Sequence, residues 1–322
     1  MFAHGIDQSV LSPAGIQAAS IHALWLLMLW VCGAVFVVVM AALLLSIVRG
    51  INNNNRSKQD AELPSERVLA SGVGASVGLT VLTLILLLVA SIVTGRTVGS
   101  PLAGSSAVTI AITGHQWWWE IQYEDAVPSR RVVTANELHI PINRPVVLKV
   151  TSRDVIHSFW VPNLQGKRDL IPGYTTAIWL QADRTGFFRG QCAEFCGMQH
   201  AHMAFDVIAD SDRDFEGWLE AMRQPGRDPA PSTRRGRDIF MQSRCAGCHA
   251  IRGTEAAGQI APDLTHIATR STLGAGTLPN TPENLAAWIQ DPQRMKPGNQ
   301  MPANPLPEED VQALVAYLET LR

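Results

Sequence analysis

Two long uncharged apolar runs dominate the first hundred residues. The first covers residues 23–48 and the second covers residues 68–95, and neither contains Lys, Arg, Asp or Glu. Each is longer than the ~20 apolar residues that a helix needs to cross a bilayer. A buried core helix is the alternative, but two such runs close together favour a transmembrane hairpin. The pattern predicts spans at residues 22–49 and 68–95 within an N-terminal segment 1–100.

The basic residues near the two runs predict their orientation. Residues 1–20 contain no Lys or Arg, whereas the connector carries Arg49, Arg56, Lys58 and Arg67. The positive-inside rule places this connector in the cytoplasm, so the N-terminus and everything after residue 95 are expected outside. A cleavable signal peptide is the alternative for the first run. The absence of a basic start and the length of the run favour a retained anchor, with removal of a short N-terminal piece left open.

A β pattern follows the second run. Its segments are rich in Val, Ile, Thr and Trp and are separated by Pro, Asn, Asp and Gly, at residues 108–123, 131–133, 145–151 and 175–181. Without amphipathic helices between them, these segments predict an all-β sandwich or barrel over residues 101–221. The composition then shifts to Pro, Gly, Arg, Asp and Ser, which predicts a linker at residues 222–233.

Helical periodicity characterises the last part of the chain. It occurs at residues 234–250, 282–290 and 307–321, and the last segment carries three acidic residues at its start, where a helix dipole favours negative charge. This predicts a small α domain over residues 234–322. A net charge of −2 in 322 residues gives no reason to expect nucleic acid as a partner.

A C-x-x-C-H motif stands at Cys245, Cys248 and His249. This motif attaches c-type haem: the two thiols form thioethers with the haem vinyl groups, and the histidine becomes the proximal iron ligand. A redox C-x-x-C is the alternative, but that motif does not require the histidine and normally follows a strand of a thioredoxin-like fold. The all-α surroundings here favour covalent haem.

The second axial haem ligand is expected to be a methionine downstream. Met301, followed by Pro302, is the preferred candidate, because a loop methionine before proline can be held rigidly against the haem. Met295 is the competitor, and its charged flanks, Arg294 and Lys296, suit a surface position better. With a Pro-Asp-Leu segment at 262–264 and an aromatic-bearing last helix, this part of the chain resembles class I cytochrome c.

A second metal motif lies between Cys192 and Met203. Two cysteines, two histidines and two methionines fall within twelve residues, and thiolate, thioether and imidazole together suit copper. A zinc site is one alternative, although zinc rarely uses thioether. A disulfide between Cys192 and Cys196 is another, and it is chemically reasonable outside the cytoplasm. Neither explains the histidine and methionine four and seven residues after Cys196.

The spacing C-x3-C-x3-H-x2-M matches the binuclear copper A motif, with a further histidine upstream at His157 and a Trp-rich segment at 117–119. In order and spacing the chain resembles subunit II of haem–copper cytochrome c oxidase over nearly its whole length. The fused haem domain narrows the resemblance to the caa-type oxidases. The resemblance implies a two-helix transmembrane hairpin, then an all-β cupredoxin-like Greek-key domain, then a small all-α class I cytochrome c domain.

The resemblance also implies a role for each matching residue. The cysteines would bridge the two coppers, each histidine would ligate one copper, and the methionine and the Glu194 carbonyl would be weak ligands. The implied copper A set is His157, Cys192, Glu194, Cys196, His200 and Met203. The Glu194 side chain would bind a magnesium ion shared with subunit I. Trp117 matches the tryptophan through which electrons reach the copper pair.

Several other residues receive weaker interpretations. The resemblance places Asp154, Lys167 and Asp169 near the subunit interface, and Glu66 where the family has an acid at a proton-channel mouth, although the family's following Trp and Pro are absent. His202 is expected to be a surface or outer residue, and His115 structural. Cys32 is expected to pack within a span. The remaining histidines have no partner visible in the sequence, namely His4, His22, His139 and His266.

The resulting functional prediction is an oxidase subunit in the bacterial plasma membrane, with its N-terminus and both redox domains on the outer side. Electrons would pass from an external donor such as cytochrome c to haem c, to copper A, and to haem a of subunit I, where oxygen is reduced; subunit III is a further expected partner. Alternatives are the copper A subunit of a nitric oxide reductase-type complex and a copper metallochaperone. A nitrous oxide reductase would need a large catalytic domain that the sequence lacks.

Overall fold

A computed structural model describes residues 7–53, 65–99, 107–227 and 229–322. Helix α1 spans Ile16–Asn53 and helix α2 spans Glu66–Gly99. Both are long and apolar enough to cross a membrane, and the apolar window of each is unburied, as expected for side chains that meet lipid. The predicted pair of apolar helices is confirmed, each extending several residues beyond its predicted span. Arg56, Lys58 and His4 lie outside the described residues.

The next part of the chain is a β-sandwich that also includes the chain before α1. Backbone hydrogen bonds join Ala14 to Asn163 (2.7 Å) and Asp183 to Ala14 (2.9 Å). Ten strands follow: β1 (Val108–His115), β2 (Trp118–Tyr123), β3 (Val132–Ala135), β4 (Glu137–Pro141), β5 (Val146–Ser152), β6 (His157–Trp160), β7 (Arg168–Leu170), β8 (Thr176–Leu180), β9 (Gly186–Cys192) and β10 (Ala204–Asp210).

The ten strands form two five-stranded sheets. One has the order β3-β2-β1-β5-β8 and the other the order β4-β10-β9-β6-β7. Strands β1 and β5 pair in parallel, as do β4 and β10, so the chain crosses between sheets rather than meandering. Alternate residues of β1 and β2 point inward, and Ile110, Trp119 and Ile121 belong to the core. The predicted all-β, cupredoxin-like domain is confirmed.

Two local features of this domain differ from the sequence pattern. The segment 108–123 is interrupted by a turn at residues 116–117, which separates β1 from β2. An amphipathic helix that the pattern did not predict, α3 (Asp212–Arg223), follows β10 and buries Phe215 and Leu219. Ser211 caps it by accepting a hydrogen bond from the Asp214 amide (3.2 Å), as an N-cap serine does. The helix ends two residues inside the predicted linker.

His139 has partners that the sequence did not reveal. Its Nδ1 lies 2.7 Å from Asp210, its Nε2 lies 3.1 Å from Glu137, and its ring stacks on Trp218 at 4.0 Å. Burial, the largest single influence, lowers the pKa of His139, but hydrogen bonds to the two carboxylates outweigh it, and the net pKa is raised. His139 therefore links β4, the outer strand of its sheet, to β10 through Asp210.

The stability of this domain should depend on pH through His139. A histidine whose pKa is raised by folding stabilises the folded state fully below its unfolded pKa of about 6.5, and this contribution is lost as pH rises through the folded pKa. In the detergent-solubilised complex, the wild-type midpoint of thermal unfolding should fall relative to that of His139→Gln as pH rises above about 6.5. Equal pH profiles for the two proteins would contradict this assignment.

The C-terminal domain is helical, as predicted, and belongs to the same compact unit as the sandwich. Its elements are α4 (Arg234–Gln242), α5 (Cys245–Cys248), β11 (Thr272–Leu273), β12 (Leu278–Pro279), α6 (Pro282–Gln290), α7 (Pro292–Met295) and α8 (Glu308–Leu318). Helix α4 packs directly on α8, because a Cβ at Gly236 would lie only 2.0 Å from the Ala313 carbonyl oxygen. Phe240 and Tyr317 meet edge to face beside this contact.

Candidate metal centres

Strand pairing assembles the cysteine-rich site. Cys192 ends β9, His157 begins β6, and these strands are adjacent because Phe159 pairs with Cys192 across the sheet. The loop after β9 carries Cys196 and His200 back over the same sheet end, and Met203 lies just before β10. The antiparallel register thus brings a histidine from 35 residues upstream to the cysteine loop.

The predicted copper ligands converge on the two sulfurs. His157 Nδ1 lies 3.8 Å from Cys192 Sγ, and His200 Nδ1 lies 3.6 Å from Cys196 Sγ. Met203 Sδ is 3.8 Å from Cys196 Sγ, while the Glu194 carbonyl oxygen is 3.2 Å from Cys192 Sγ. Each sulfur therefore has one imidazole and one weak donor beside it, and the exposed Glu194 side chain points elsewhere.

The two cysteines are free thiols. Their sulfurs are 3.7 Å apart, well beyond the ~2.05 Å of a disulfide bond. The hydrogen bond between the two thiols, together with the contact to His157, lowers the pKa of Cys192, although burial opposes this, and the same thiol contact raises the pKa of Cys196. Cys192 is therefore the readier thiolate, the form that binds metal. This donor set fits copper.

Asp154 orients the upstream histidine. Its Oδ1 lies 2.8 Å from His157 Nε2, which leaves Nδ1 facing the thiols, and its Oδ2 accepts a hydrogen bond from the Gln116 amide at 2.6 Å. A carboxylate that fixes the outer nitrogen of a ligating histidine is common in metal sites. Trp117 Nε1 and the Gln116 side chain both donate to the Cys196 carbonyl, at 2.9 and 2.8 Å.

The C-x-x-C-H motif borders the second site. Cys245 and Cys248 occupy the ends of the single-turn helix α5, and His249 follows it. His249 Nδ1 lies 2.7 Å from the Pro262 carbonyl oxygen, so Nδ1–H donates there and Nε2 keeps its lone pair. Burial lowers the pKa of His249, which keeps the imidazole neutral at pH 7. A neutral histidine with a free Nε2 is what an iron site requires.

A cavity of about 260 Å³ lies beside this motif and is lined by Cys245, Cys248 and His249. Among the described residues Met301 also lines it and Met295 does not, which agrees with the preference for Met301. Arg270 lines the cavity too; it is buried, and its Nε has no hydrogen-bond partner among the described residues. An apolar cavity with one orphaned guanidinium nitrogen fits haem, whose carboxylates would satisfy it.

The sandwich contributes part of this cavity wall, through Gln116, Trp117, Trp118 and Asn136. Trp117 is 8% exposed and hydrogen-bonds to the Cys196 carbonyl through its indole nitrogen. One side chain thus borders this cavity and contacts the cysteine loop. The sequence alone indicates a role for Trp117 at the copper site only.

The surface position expected for Lys296 is wrong. The residue is 2% exposed, and its Nζ donates to the carbonyl oxygens of Trp117 (2.8 Å), His202 (2.7 Å) and Gly274 (2.6 Å). Burial lowers its pKa to about 7. No sequence signal identifies it, because lysine beside arginine and proline is typical of an exposed loop.

The remaining candidates occupy less informative positions. The His202 ring is bonded to Gln199 (2.8 Å) rather than facing the thiols, and His115 stacks on Trp118 at 4.2 Å. His266 lies 3.2 Å from the Gln224 carbonyl oxygen. In the helices, Cys32 is exposed in α1, His22 has its ring 5.6 Å from that of Trp25, and Glu66 begins α2. In the sandwich, Lys167 and Asp169 are exposed.

Comparisons with known proteins agree with this architecture. Residues 126–210 match the family model "Cytochrome C oxidase subunit II, periplasmic domain", and residues 233–322 match "Cytochrome c". Cytochrome c oxidase subunit 2 of Alkalihalophilus pseudofirmus is 36% identical over 98% of this chain and 91% of its own. That of Bacillus sp. strain PS3 is 35% identical over 67% of this chain and 63% of its own.

Among solved structures, the periplasmic domain of subunit II of cytochrome oxidase from Bradyrhizobium japonicum is 32% identical. It covers 38% of this chain and 97% of its own, with a TM-score of 0.35. The relative from Alkalihalophilus pseudofirmus matches along almost the entire chain, including both domains outside the helices. The chain therefore belongs to the cytochrome c oxidase subunit II family, as a caa-type member with a fused cytochrome c domain.

Proposed function

We propose that this chain relays electrons from an external donor such as cytochrome c, through haem c and copper A, to haem a of subunit I. Oxygen would be reduced to water in that subunit, coupled to proton translocation. The observation that carries the proposal is the place of Trp117, which borders the haem-binding cavity and hydrogen-bonds to the cysteine loop. This contact places one aromatic side chain between the two proposed redox sites.

The copper assignment follows from the pairing of donors. Cys192 and Cys196 would supply thiolate, His157 and His200 imidazole, and Met203 and the Glu194 carbonyl weaker donors to the copper. When bound, the copper would supply a one-electron centre. Asp154 holds His157 in the required tautomer (2.8 Å), and the exposed Glu194 side chain is free to bind a magnesium ion shared with subunit I.

The haem assignment uses the second cavity. Cys245 and Cys248 would form the two thioether bonds, and His249 and Met301 would supply ligands to the iron. The Pro262 carbonyl fixes the His249 tautomer at 2.7 Å. Arg270 Nη2 donates to the Asp263 carbonyl, whereas its Nε has no partner among the described residues and would donate to a haem carboxylate.

The arrangement of the two domains also indicates where an external donor delivers its electron. Trp117 is covered by the cytochrome domain, where a Cβ at Gly298 would lie 3.6 Å from its ring. A soluble donor therefore has no direct access to this tryptophan, and electrons would arrive through haem c. Phe195 and Met198, on the cysteine loop, are 75% and 73% exposed and suit contact with a partner subunit.

Membrane placement follows from the helices and from the family. The helices α1 and α2 would anchor the chain in the bacterial plasma membrane, with the N-terminus and both redox domains outside. Relatives with this architecture are named subunits of cytochrome c oxidase, which supports association with subunit I and, as a further expectation, subunit III. The oxygen-reducing site would belong to subunit I.

The role of Trp117 can be tested by Trp117→Phe in the purified complex. Phenylalanine keeps the apolar contact but loses the indole N–H bonded to the Cys196 carbonyl. After rapid reduction of haem c, transfer to copper A should slow by about tenfold, equivalent to about 1.4 kcal/mol in the activation free energy.

Trp179→Phe is the matched control, because Trp179 is buried in β8, does not line the cavity, and has an indole nitrogen without a hydrogen-bond partner among the described residues. It should transfer electrons at the wild-type rate. Equal rates for Trp117→Phe and wild type would remove Trp117 from the path. Wild-type complex lacking a c-haem band, a mixed-valence copper signal or a-type haem would refute the oxidase assignment itself.

A further inference from the structure

The contact between the two redox domains contains a buried lysine. Lys296 belongs to the cytochrome domain, and two of the three carbonyls that its Nζ contacts belong to the sandwich: Trp117 at 2.8 Å and His202 at 2.7 Å. The third, Gly274 at 2.6 Å, lies in the β11–β12 turn of its own domain. An ammonium group has three N–H donors, so all three are satisfied at once.

This arrangement constrains how the domains can dock. The three carbonyl dipoles compensate the burial of Lys296, together with a favourable electrostatic interaction with Cys196. A buried ammonium that loses even one such partner is strongly disfavoured. An orientation of the cytochrome domain that moved the Trp117 or His202 carbonyl away from Nζ would leave the buried charge without one of its hydrogen-bond acceptors. The lysine therefore selects one orientation among those that apolar contact would allow.

Neighbouring contacts agree with the same orientation. Gln199 donates to the Pro297 carbonyl at 2.9 Å, directly beside Lys296 in the chain. The Ala204 amide donates to the Ala275 carbonyl at 3.0 Å, and Ser271 donates to Asp206. All three join the cytochrome domain to the end of the sandwich that holds the cysteine loop. Unlike these, Lys296 reaches both the β1–β2 turn, at Trp117, and the end of that loop, at His202.

The lysine also precedes the loop that carries the predicted haem ligand. Gly298 has a φ of +84°, and a Cβ there would lie 3.6 Å from the Trp117 ring, so the loop passes directly over the tryptophan. Met301 follows at the cavity wall. The hydrogen bond from Lys296 to the Trp117 carbonyl therefore fixes the position of the Met301 loop, and of the cavity wall that it forms, relative to Trp117.

We propose that Lys296 is a positioning residue that fixes the cytochrome domain in a single orientation on the copper domain, with Trp117 between the two redox sites. The proposal rests on the electron relay proposed above. It makes the fused domain a rigid part of the relay rather than a tethered carrier that must find its docking site before each electron transfer.

The test is Lys296→Met in the full oxidase complex, with Lys149→Met as the matched control. Lys149 is exposed on β5, so its loss should change nothing. Methionine keeps the length and apolar stem of Lys296 but offers no donor to the carbonyls. Both c-haem and copper spectra should survive. Transfer from haem c to copper A should slow about tenfold, in proportion to the docked fraction, and should become dependent on solvent viscosity.

Viscosity dependence separates positioning from a general structural effect, because a rigid relay has no docking step to slow. Wild-type speed and no viscosity dependence in Lys296→Met with intact spectra would overturn the proposal. If that variant loses either centre, Lys296→Gln decides, because its shorter, uncharged amide cannot satisfy all three carbonyls. A folded Lys296→Gln with the wild-type rate and no viscosity dependence would overturn the proposal too. Absence of transfer from haem c to copper A in the wild-type complex would instead refute the relay.

Discussion

Replacing Cys196 by serine should abolish the mixed-valence copper signal and the oxygen consumption of the complex. Cys196 Sγ lies 3.7 Å from Cys192 Sγ, 3.6 Å from His200 Nδ1 and 3.8 Å from Met203 Sδ, so it is the atom around which the proposed site is built. A serine hydroxyl stays protonated at neutral pH and is a hard donor, whereas copper in such sites selects soft thiolate.

The loss should exceed the ~10–100-fold drop in metal affinity that follows removal of an outer hydrogen-bond partner of a ligand. Copper content and the electron paramagnetic resonance spectrum of the purified complex measure it directly. Cys32→Ser is the matched control, because Cys32 lies exposed in α1, and it should keep the full signal. The c-haem band should remain in Cys196→Ser. A persistent mixed-valence signal in that variant would show that the copper ligands are elsewhere.

Replacing both Cys245 and Cys248 by serine should eliminate covalent haem and destabilise the cytochrome domain. The cavity beside them is about 260 Å³ and mostly apolar, so without haem the side chains that line it lose packing partners. Haem is therefore expected to act as the core of this domain as well as its redox group.

Three measurements on the complex check this second expectation. Haem staining of a denaturing gel should show no haem on this chain, proteolysis should begin in residues 234–322, and oxygen consumption with a soluble donor should be lost. The copper signal should persist, because the hydrophobic core of the sandwich is separate from that of the cytochrome domain. Covalent haem in the double variant, or protease resistance equal to wild type, would contradict the expectation.

The features that the sequence determines by itself are those encoded by neighbouring residues. Two uncharged runs are sufficient to predict α1 and α2, because crossing a bilayer depends on length and hydrophobicity alone. The C-x-x-C-H motif and the spacing of Cys192, Cys196, His200 and Met203 identify two metal sites within short segments. Helix α6 was predicted with the bounds that the structure has, since a threonine cap and proline mark its start.

Only the tertiary structure decides which distant residues join these sites. Pairing of β6 with β9 brings His157 to Cys192, and docking of the cytochrome domain places Trp117 on the wall of the haem-binding cavity. The sequence predicts an exposed Lys296, because lysine is almost never fully buried in folded proteins. Its three carbonyl partners come from segments far apart in the chain, so no local sequence pattern could predict these contacts.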